Sequence, residues 1–176
     1  HLETEATDAD LGRLLASSPP AGRRCQVALA SSVCTAALRA VALALATAPE
    51  VIVRPSRRDP GLAGPLVRAL GEPGALDAQG CAVRLADAEE PLGAGLSPGD
   101  TLHLYGSDET VATVAAALPR GVVLRAFGSG IGLAAVGRHE PLEPAAIGLA
   151  CDVVVFDQQG CLSPRLALVE GPPERA

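Results

Sequence analysis

The chain has 176 residues, a length typical of one domain or of one domain plus part of a second. A content of 48% hydrophobic and 19% charged residues excludes a disordered chain. The net charge of −6 and the 2% aromatic content argue against nucleic-acid binding, which needs a basic face and stacking aromatic rings.

The five cysteines are odd in number and include no Cys-x-x-Cys pair. This usage argues against a zinc site and favours free thiols in a reducing cytoplasm. The longest apolar stretch, residues 33–48, is interrupted by Arg39 and is too short to span a bilayer. We therefore expect a cytoplasmic protein with no metal site and no membrane span.

Apolar runs separated by helix breakers predict alternating strands and helices. In chain order they predict a short helix at 10–17, a break at 18–22, a strand at 25–30, a helix at 35–46, a strand at 50–54, a helix at 62–70, a short strand at 81–85, a strand at 101–105, a helix opening at 106–109 and running to 118, a strand at 122–125, an extended segment at 131–136, a helix at 143–151 and a last strand at 166–170. The helix at 35–46 is apolar on nearly every side and is predicted to be buried. This alternation predicts an α/β layer with a mostly parallel sheet.

The domain organisation predicted from these breaks has three parts. They are an N-terminal polar and helical segment (1–22), an α/β domain (23–156) and a final turn segment (157–176). The chain contains no methionine, begins in a polar acidic run and ends in a loop at 171–176. We interpret it as a fragment of a longer protein, with processing at both ends as the alternative.

The sharpest local pattern is the stretch 153–164. The apolar run 153–156 is typical of a buried strand or of the end of a buried element, and it stops at polar residues and Gly160. Cys161 follows at once, and a thiolate is the best nucleophile among ordinary side chains. Cys161 is therefore a candidate catalytic nucleophile, and the alternative is a small buried apolar residue.

Two strand-to-helix turns are candidates for binding phosphate. Residues 54–58 place three arginines after a strand, and guanidinium groups bind phosphate with two parallel hydrogen bonds. The alternative is a solvated basic turn paired with Asp59 or Glu50. Gly106 and Ser107 open a helix whose N–H groups could face a pyrophosphate, and the alternative is an ordinary turn with a serine cap.

Other candidates are weaker. The glycine-rich segment 127–132 is not a dinucleotide fingerprint, because the following residues are predicted to be extended rather than helical. His103 lies in a predicted strand and His139 in a loop, and neither has an evident partner in the sequence. Both fit a structural or solvated role better than a catalytic one.

Four segments occur together in one order: SSVCTAALR at 31–39, VRPSRRDP at 53–60, YGSDET at 105–110 and FDQQGCLSP at 156–164. In this set the chain resembles the long-chain acyl-CoA reductases (LuxC-type) of bacterial luminescence, a branch of the aldehyde dehydrogenase superfamily. The resemblance covers about residues 27–170, and its last segment is the most specific.

The resemblance implies an aldehyde-dehydrogenase-like, Rossmann-like nucleotide-binding domain that is truncated before the catalytic domain. It implies that the thiolate of Cys161 attacks a fatty acyl-CoA, or accepts an acyl group from a partner acyl-protein synthetase. The acyl-enzyme then accepts a hydride from NADPH and releases an aldehyde. A homo-oligomer is expected for the full-length protein.

The same resemblance assigns the cofactor site. Arg54 and Ser56 lie where the superfamily contacts the adenosine ribose, and Arg57 or Arg58 holds a 2′-phosphate, which favours NADP over NAD. Gly106 and Ser107 lie beside the pyrophosphate.

Two features depart from the superfamily pattern. Ser32 stands where an asparagine usually helps to form the oxyanion hole, and losing such a donor raises the barrier by about 2.7–4 kcal/mol. No glutamate near 126–128 matches the usual general base. With the truncation, these departures leave an alternative function, a non-catalytic nucleotide-binding or structural fragment.

Overall fold

The structure is a computed structural model that describes residues 9, 12, 13, 16, 22–30, 36–58, 61–77, 80–87, 89–154 and 163–171. The chain divides into two compact units, His1–Gly128 and Ser129–Ala176. Compact units need not coincide with functional domains, so the predicted limits 1–22, 23–156 and 157–176 stay a prediction.

The first unit contains a five-stranded sheet with helices on both faces. Its elements are β1 (Arg24–Ala28), α1 (Ala36–Leu45), β2 (Glu50–Arg54), α2 (Ala63–Leu70), β3 (Ala82–Leu85), β4 (Thr101–Tyr105), α3 (Asp108–Ala117) and β5 (Val123–Phe127). The strands are all parallel and lie in the order β3-β2-β1-β4-β5. The predicted α/β class with a parallel sheet is confirmed.

Alternating side chains of the central strands build one core on each face of this sheet. Helices α1 and α2 pack on the face that carries Val27 and Val53. Helix α3 packs on the face that carries Leu102 and Leu104. The continuous run Val51, Ile52 and Val53 is buried because β2 is covered on both faces.

Helix α1 is buried along one stripe only, so the prediction of a buried helix is confirmed for that stripe and wrong for the rest of its surface. Its buried residues are Ala37, Ala40, Val41 and Ala44, whereas Arg39 and Ala42 are exposed. The helix lies on the outside of the sheet, and such a position buries only the side chains that face the strands.

The connection from β3 to β4 is a loop, residues 86–100, which we call the crossover loop; residue 88 lies outside the described residues. Parallel strands are usually joined through a helix. Here the described part of the loop contains no helix, and it turns at Gly93, Gly95 and Gly99, whose φ angles are 80°, 73° and 93°. Such angles are accessible to glycine at little cost.

The second unit is a parallel β-α-β arrangement of β6 (Gly132–Val136), α4 (Leu142–Val154) and β7 (Pro164–Val169). The described part of 153–156 forms neither a buried strand nor the end of a buried element, the two predicted alternatives. Val153 and Val154 form the end of α4, and Val154 is 74% exposed. An Ala- and Leu-rich helix propagates into these residues despite their local β preference, because each added turn gains hydrogen bonds without a new nucleation cost.

None of the described helices combines the length and apolar character needed to cross a membrane.

Candidate functional site

The carboxyl ends of the five parallel strands meet at one edge of the sheet, and the strand order changes direction between β1 and β4. The helices that follow these two strands lie on opposite faces, α1 on one and α3 on the other. Ligands of open α/β sheets bind in the crevice that such a switch point creates. Both predicted phosphate-binding turns follow strands at this edge, and Ser32 and Cys161 lie outside the described residues.

Arg54 ends β2 and is half-buried at this edge. Its Nη1 donates a hydrogen bond to the backbone carbonyl of Glu90 in the crossover loop. Its own carbonyl accepts the N–H of Leu29 at 3.0 Å, which ties the end of β2 to the end of β1. The guanidinium is therefore engaged with the protein, and its predicted contact with an adenosine ribose stays a prediction.

The two later arginines of the turn lie nearer the surface than Arg54. Arg57 and Arg58 are exposed, and the backbone N–H of Arg58 donates to Ser56 Oγ at 3.2 Å. Glu50, one expected counter-ion, cannot serve the turn because it begins β2 at the opposite edge, where its carboxylate lies 3.9 Å from Arg24 Nε. Asp59, the other expected counter-ion, lies outside the described residues.

The turn after β4 is stabilised by the protein's own groups. The N–H of Gly106 donates to the Phe127 carbonyl at 3.1 Å, and Ser107 Oγ accepts the N–H of Thr110 at 3.2 Å. The predicted N-cap role of Ser107 is confirmed.

The first turn of α3 is acidic as well as capped. It carries Asp108 and Glu109, both exposed. A Cβ at Gly128 would overlap the Asp108 carboxylate, so that glycine leaves room for the acid. Two negative side chains at the positive end of a helix dipole oppose the binding of a second anion there. A pyrophosphate beside Gly106 and Ser107 stays a prediction.

The sheet interior holds two titratable groups. His103 is fully buried, and neither ring nitrogen has a hydrogen-bond partner among the described residues. Desolvation, aided by the positive charge of Arg125, lowers the pKa of His103 to about 4. Burial raises the pKa of Cys25 to about 12, so its thiolate is not formed near neutral pH. The burial of His103 within β4 favours the structural role over a catalytic one.

Among the described residues, no three His, Cys, Asp or Glu side chains converge in a way that could hold a metal ion. The glycine-rich segment 128–131 has no regular secondary structure and is exposed, and strand β6 follows it. The absence of a helix immediately after it confirms that the segment is not a dinucleotide fingerprint.

A known family matches most of the chain. The model of the acyl-CoA reductase (LuxC) family matches residues 17–174. The chain belongs to this family. A search of the curated proteins returns no match.

Solved aldehyde dehydrogenase structures share the fold of the LuxC chain. A protein described as an aldehyde dehydrogenase from Burkholderia cenocepacia has a TM-score of 0.65 and 21% identity, covering 84% of this chain and 32% of its own. HpcC from Thermus thermophilus has a TM-score of 0.60 and 21% identity, with 84% and 29% covered. AldH of Staphylococcus aureus in a substrate-bound state has a TM-score of 0.56 and 18% identity, with 82% and 32% covered.

The LuxC chain thus spans about a third of the length of these structures. The family match and the shared fold confirm the resemblance and the aldehyde-dehydrogenase-like α/β class that the sequence predicts. Identities of 21% and below show a common fold only.

Proposed function

We propose that this chain is the nucleotide-binding part of an NADP-dependent acyl-CoA reductase that forms a fatty aldehyde through a thioester on Cys161. The family match over residues 17–174 carries the proposal, because it includes both the arginine turn and the segment around Cys161. The acyl group comes from a fatty acyl-CoA or from a partner acyl-protein synthetase. The proposed setting is a cytoplasmic homo-oligomer.

The described residues fit the adenosine end of a dinucleotide. Arg57 and Arg58 are exposed and follow β2 beside the switch point, and this position supports their proposed contact with a 2′-phosphate. A guanidinium fork suits a phosphate better than an ammonium group does. Ser56 shapes the turn by accepting the N–H of Arg58. When bound, the dinucleotide supplies the hydride for the reduction.

Cys161 supplies the covalent step. Its thiolate attacks the thioester carbonyl carbon, a new C–S bond forms, and the thiolate of CoA leaves. Hydride addition to the same carbon gives a tetrahedral oxyanion, whose C=O double bond re-forms in the next step. The C–S bond to Cys161 then breaks, and the aldehyde leaves while the thiolate is restored. Ser32 is the proposed hydroxyl donor to the oxyanion.

Acylation can be tested separately from reduction. The protein is incubated with a long-chain acyl-CoA at pH 8 and its intact mass is measured, followed by peptide mapping. We expect one added acyl group on wild type and on Cys151→Ala, whose cysteine is the exposed one on α4, and none on Cys161→Ala. Equal acylation of wild type and Cys161→Ala would refute the nucleophile assignment. NADPH binding without any acylation would instead support the non-catalytic nucleotide-binding alternative.

A further inference from the structure

We infer that Arg54 is a positioning residue, which fixes the crossover loop beside the nucleotide site instead of contacting the nucleotide. This inference rests on the proposed function, since it concerns the same edge of the sheet. It changes the role that the sequence suggests for Arg54, which was contact with the adenosine ribose.

The crossover loop starts beside the arginine turn. The N–H of Ala86 donates to the carbonyl of Val53 at 2.9 Å, so the loop leaves β3 directly next to the end of β2. Five residues beyond Leu85, the carbonyl of Glu90 accepts the hydrogen bond from Arg54 Nη1. The first part of the loop is therefore held at the carboxyl end of β2, from which the arginine turn continues.

The loop then runs along the sheet to the opposite edge. In the sheet interior, Gln26 Oε1 accepts the N–H of Gly93 at 2.7 Å, and Leu96 is only 7% exposed. At the amino edge, the Asp100 carboxylate accepts the N–H groups of Arg24 at 2.9 Å and Ser97 at 2.8 Å. The loop thus covers the face that a crossover helix usually covers.

Three side chains anchor the loop: Arg54, Gln26 and Asp100. Of these, Arg54 is the one at the carboxyl edge. The Gln26 and Asp100 anchors hold the middle and the end of the loop, so they remain when the guanidinium is removed. Hydrogen bonds from charged donors are stronger than those from neutral donors. When a half-buried donor is removed, water only partly replaces its hydrogen bond. Loss of the Arg54 donor should therefore loosen the start of the loop and leave the rest of the fold in place.

The experiment compares four forms of the protein: wild type, Arg54→Met, Arg54→Lys and Arg58→Ala. Methionine keeps an apolar stem of similar length for packing and removes the donor, whereas lysine keeps a long cationic donor. Arg58→Ala is the matched control, because it removes the same charge from the same turn at an exposed position. Two quantities are measured: amide hydrogen exchange by mass spectrometry, and dissociation constants for NADPH and NADH by fluorescence titration.

We expect amides at 89–92 to exchange at least about tenfold faster in Arg54→Met, to return toward the wild-type rate in Arg54→Lys, and to stay unchanged in Arg58→Ala. Exchange in β1 and β4 should be the same in all four forms, which separates a loosened loop from global unfolding. Arg54→Met should weaken the binding of NADPH and of NADH by the same factor, because a displaced loop affects both. Arg58→Ala should weaken the binding of NADPH more than that of NADH.

Two results would overturn the inference. One is unchanged exchange at 89–92 in Arg54→Met, which would mean that the arginine does not hold the loop. The other is weak dinucleotide binding in Arg54→Lys although its exchange at 89–92 has returned to the wild-type rate, which would indicate that the guanidinium contacts the nucleotide directly. If wild type binds neither dinucleotide, the proposed function fails, and the exchange comparison alone then confirms or refutes the anchoring.

Discussion

The buried His103 predicts a specific loss of stability in acid. Its pKa lies at about 4 in the folded protein, against an ordinary value of 6.5, because burial disfavours the imidazolium and Arg125 repels it. The unfolded chain therefore takes up a proton at a higher pH than the folded chain does. The contribution of His103 to stability is constant above about pH 7 and falls as the pH drops through 6.5 toward 4.

The difference of about 2.5 pKa units sets the size of this effect. At about 1.36 kcal/mol per unit, the free energy of unfolding falls by about 3 kcal/mol in the acid limit and by roughly 2 to 3 kcal/mol at pH 4.5. The neighbouring Cys25 thiol does not offset this loss, because its raised pKa keeps it protonated across the range.

Urea denaturation at pH 7.5 and pH 4.5 measures the effect in wild type and in His103→Leu. Carboxylates also titrate in this interval, so the informative quantity is the difference between the two proteins. We expect the leucine variant to lose about 2 kcal/mol less than wild type between the two pH values. His139→Gln, at an exposed loop position, should behave as wild type does. Equal losses in wild type and His103→Leu would refute the reasoning.

Two further predictions follow from local geometry. Iodoacetamide at pH 8 should modify the exposed Cys151 well before the buried Cys25. The raised pKa of Cys25 leaves about a thousandfold less thiolate than a thiol with the ordinary pKa of 9.0 has. Peptide mapping that finds Cys25 alkylated first in the folded protein would contradict its burial. Ser107→Ala should lower the free energy of unfolding by about 1 kcal/mol through loss of the α3 cap, and Ser107→Asp should restore most of it, because its carboxylate also accepts the Thr110 N–H. Equal urea midpoints for wild type and Ser107→Ala would show that the cap contributes nothing.

The fold was predictable wherever one local pattern decided it. The uninterrupted run at 51–53 indicated a strand covered on both faces, and Ser107 before two acids indicated a helix start. Both signals act over a few residues, and tertiary contacts reinforce them. The strand prediction was wrong at residues 153–154 because their β preference opposed a helix that had already formed. A propagating helix overrides a weak local preference.

The contacts that shape the candidate site were not predictable in the same way. Arg54 and Glu90 are 36 residues apart, and the bond goes to a backbone carbonyl, which leaves no mark on the choice of side chain at 90. The sequence showed three arginines at a strand end, but not that Arg54 among them donates to this carbonyl. The burial of His103 was equally hidden, since a lone histidine in a strand has the same local pattern whether its ring is covered or exposed.

The distribution of charge along the carboxyl edge restricts how an elongated ligand can lie there. The turn after β2 presents Arg57 and Arg58 to solvent, whereas the first turn of α3, after β4, presents Asp108 and Glu109. β1 separates these two strands in the sheet, so the edge is positive on one side of the switch point and negative on the other. A protein with a net charge of −6 attracts an anionic ligand only where its arginines are concentrated. In the proposed complex, the phosphate-bearing adenosine end therefore lies at β2, because the reversed orientation would bring that phosphate against the two carboxylates of α3.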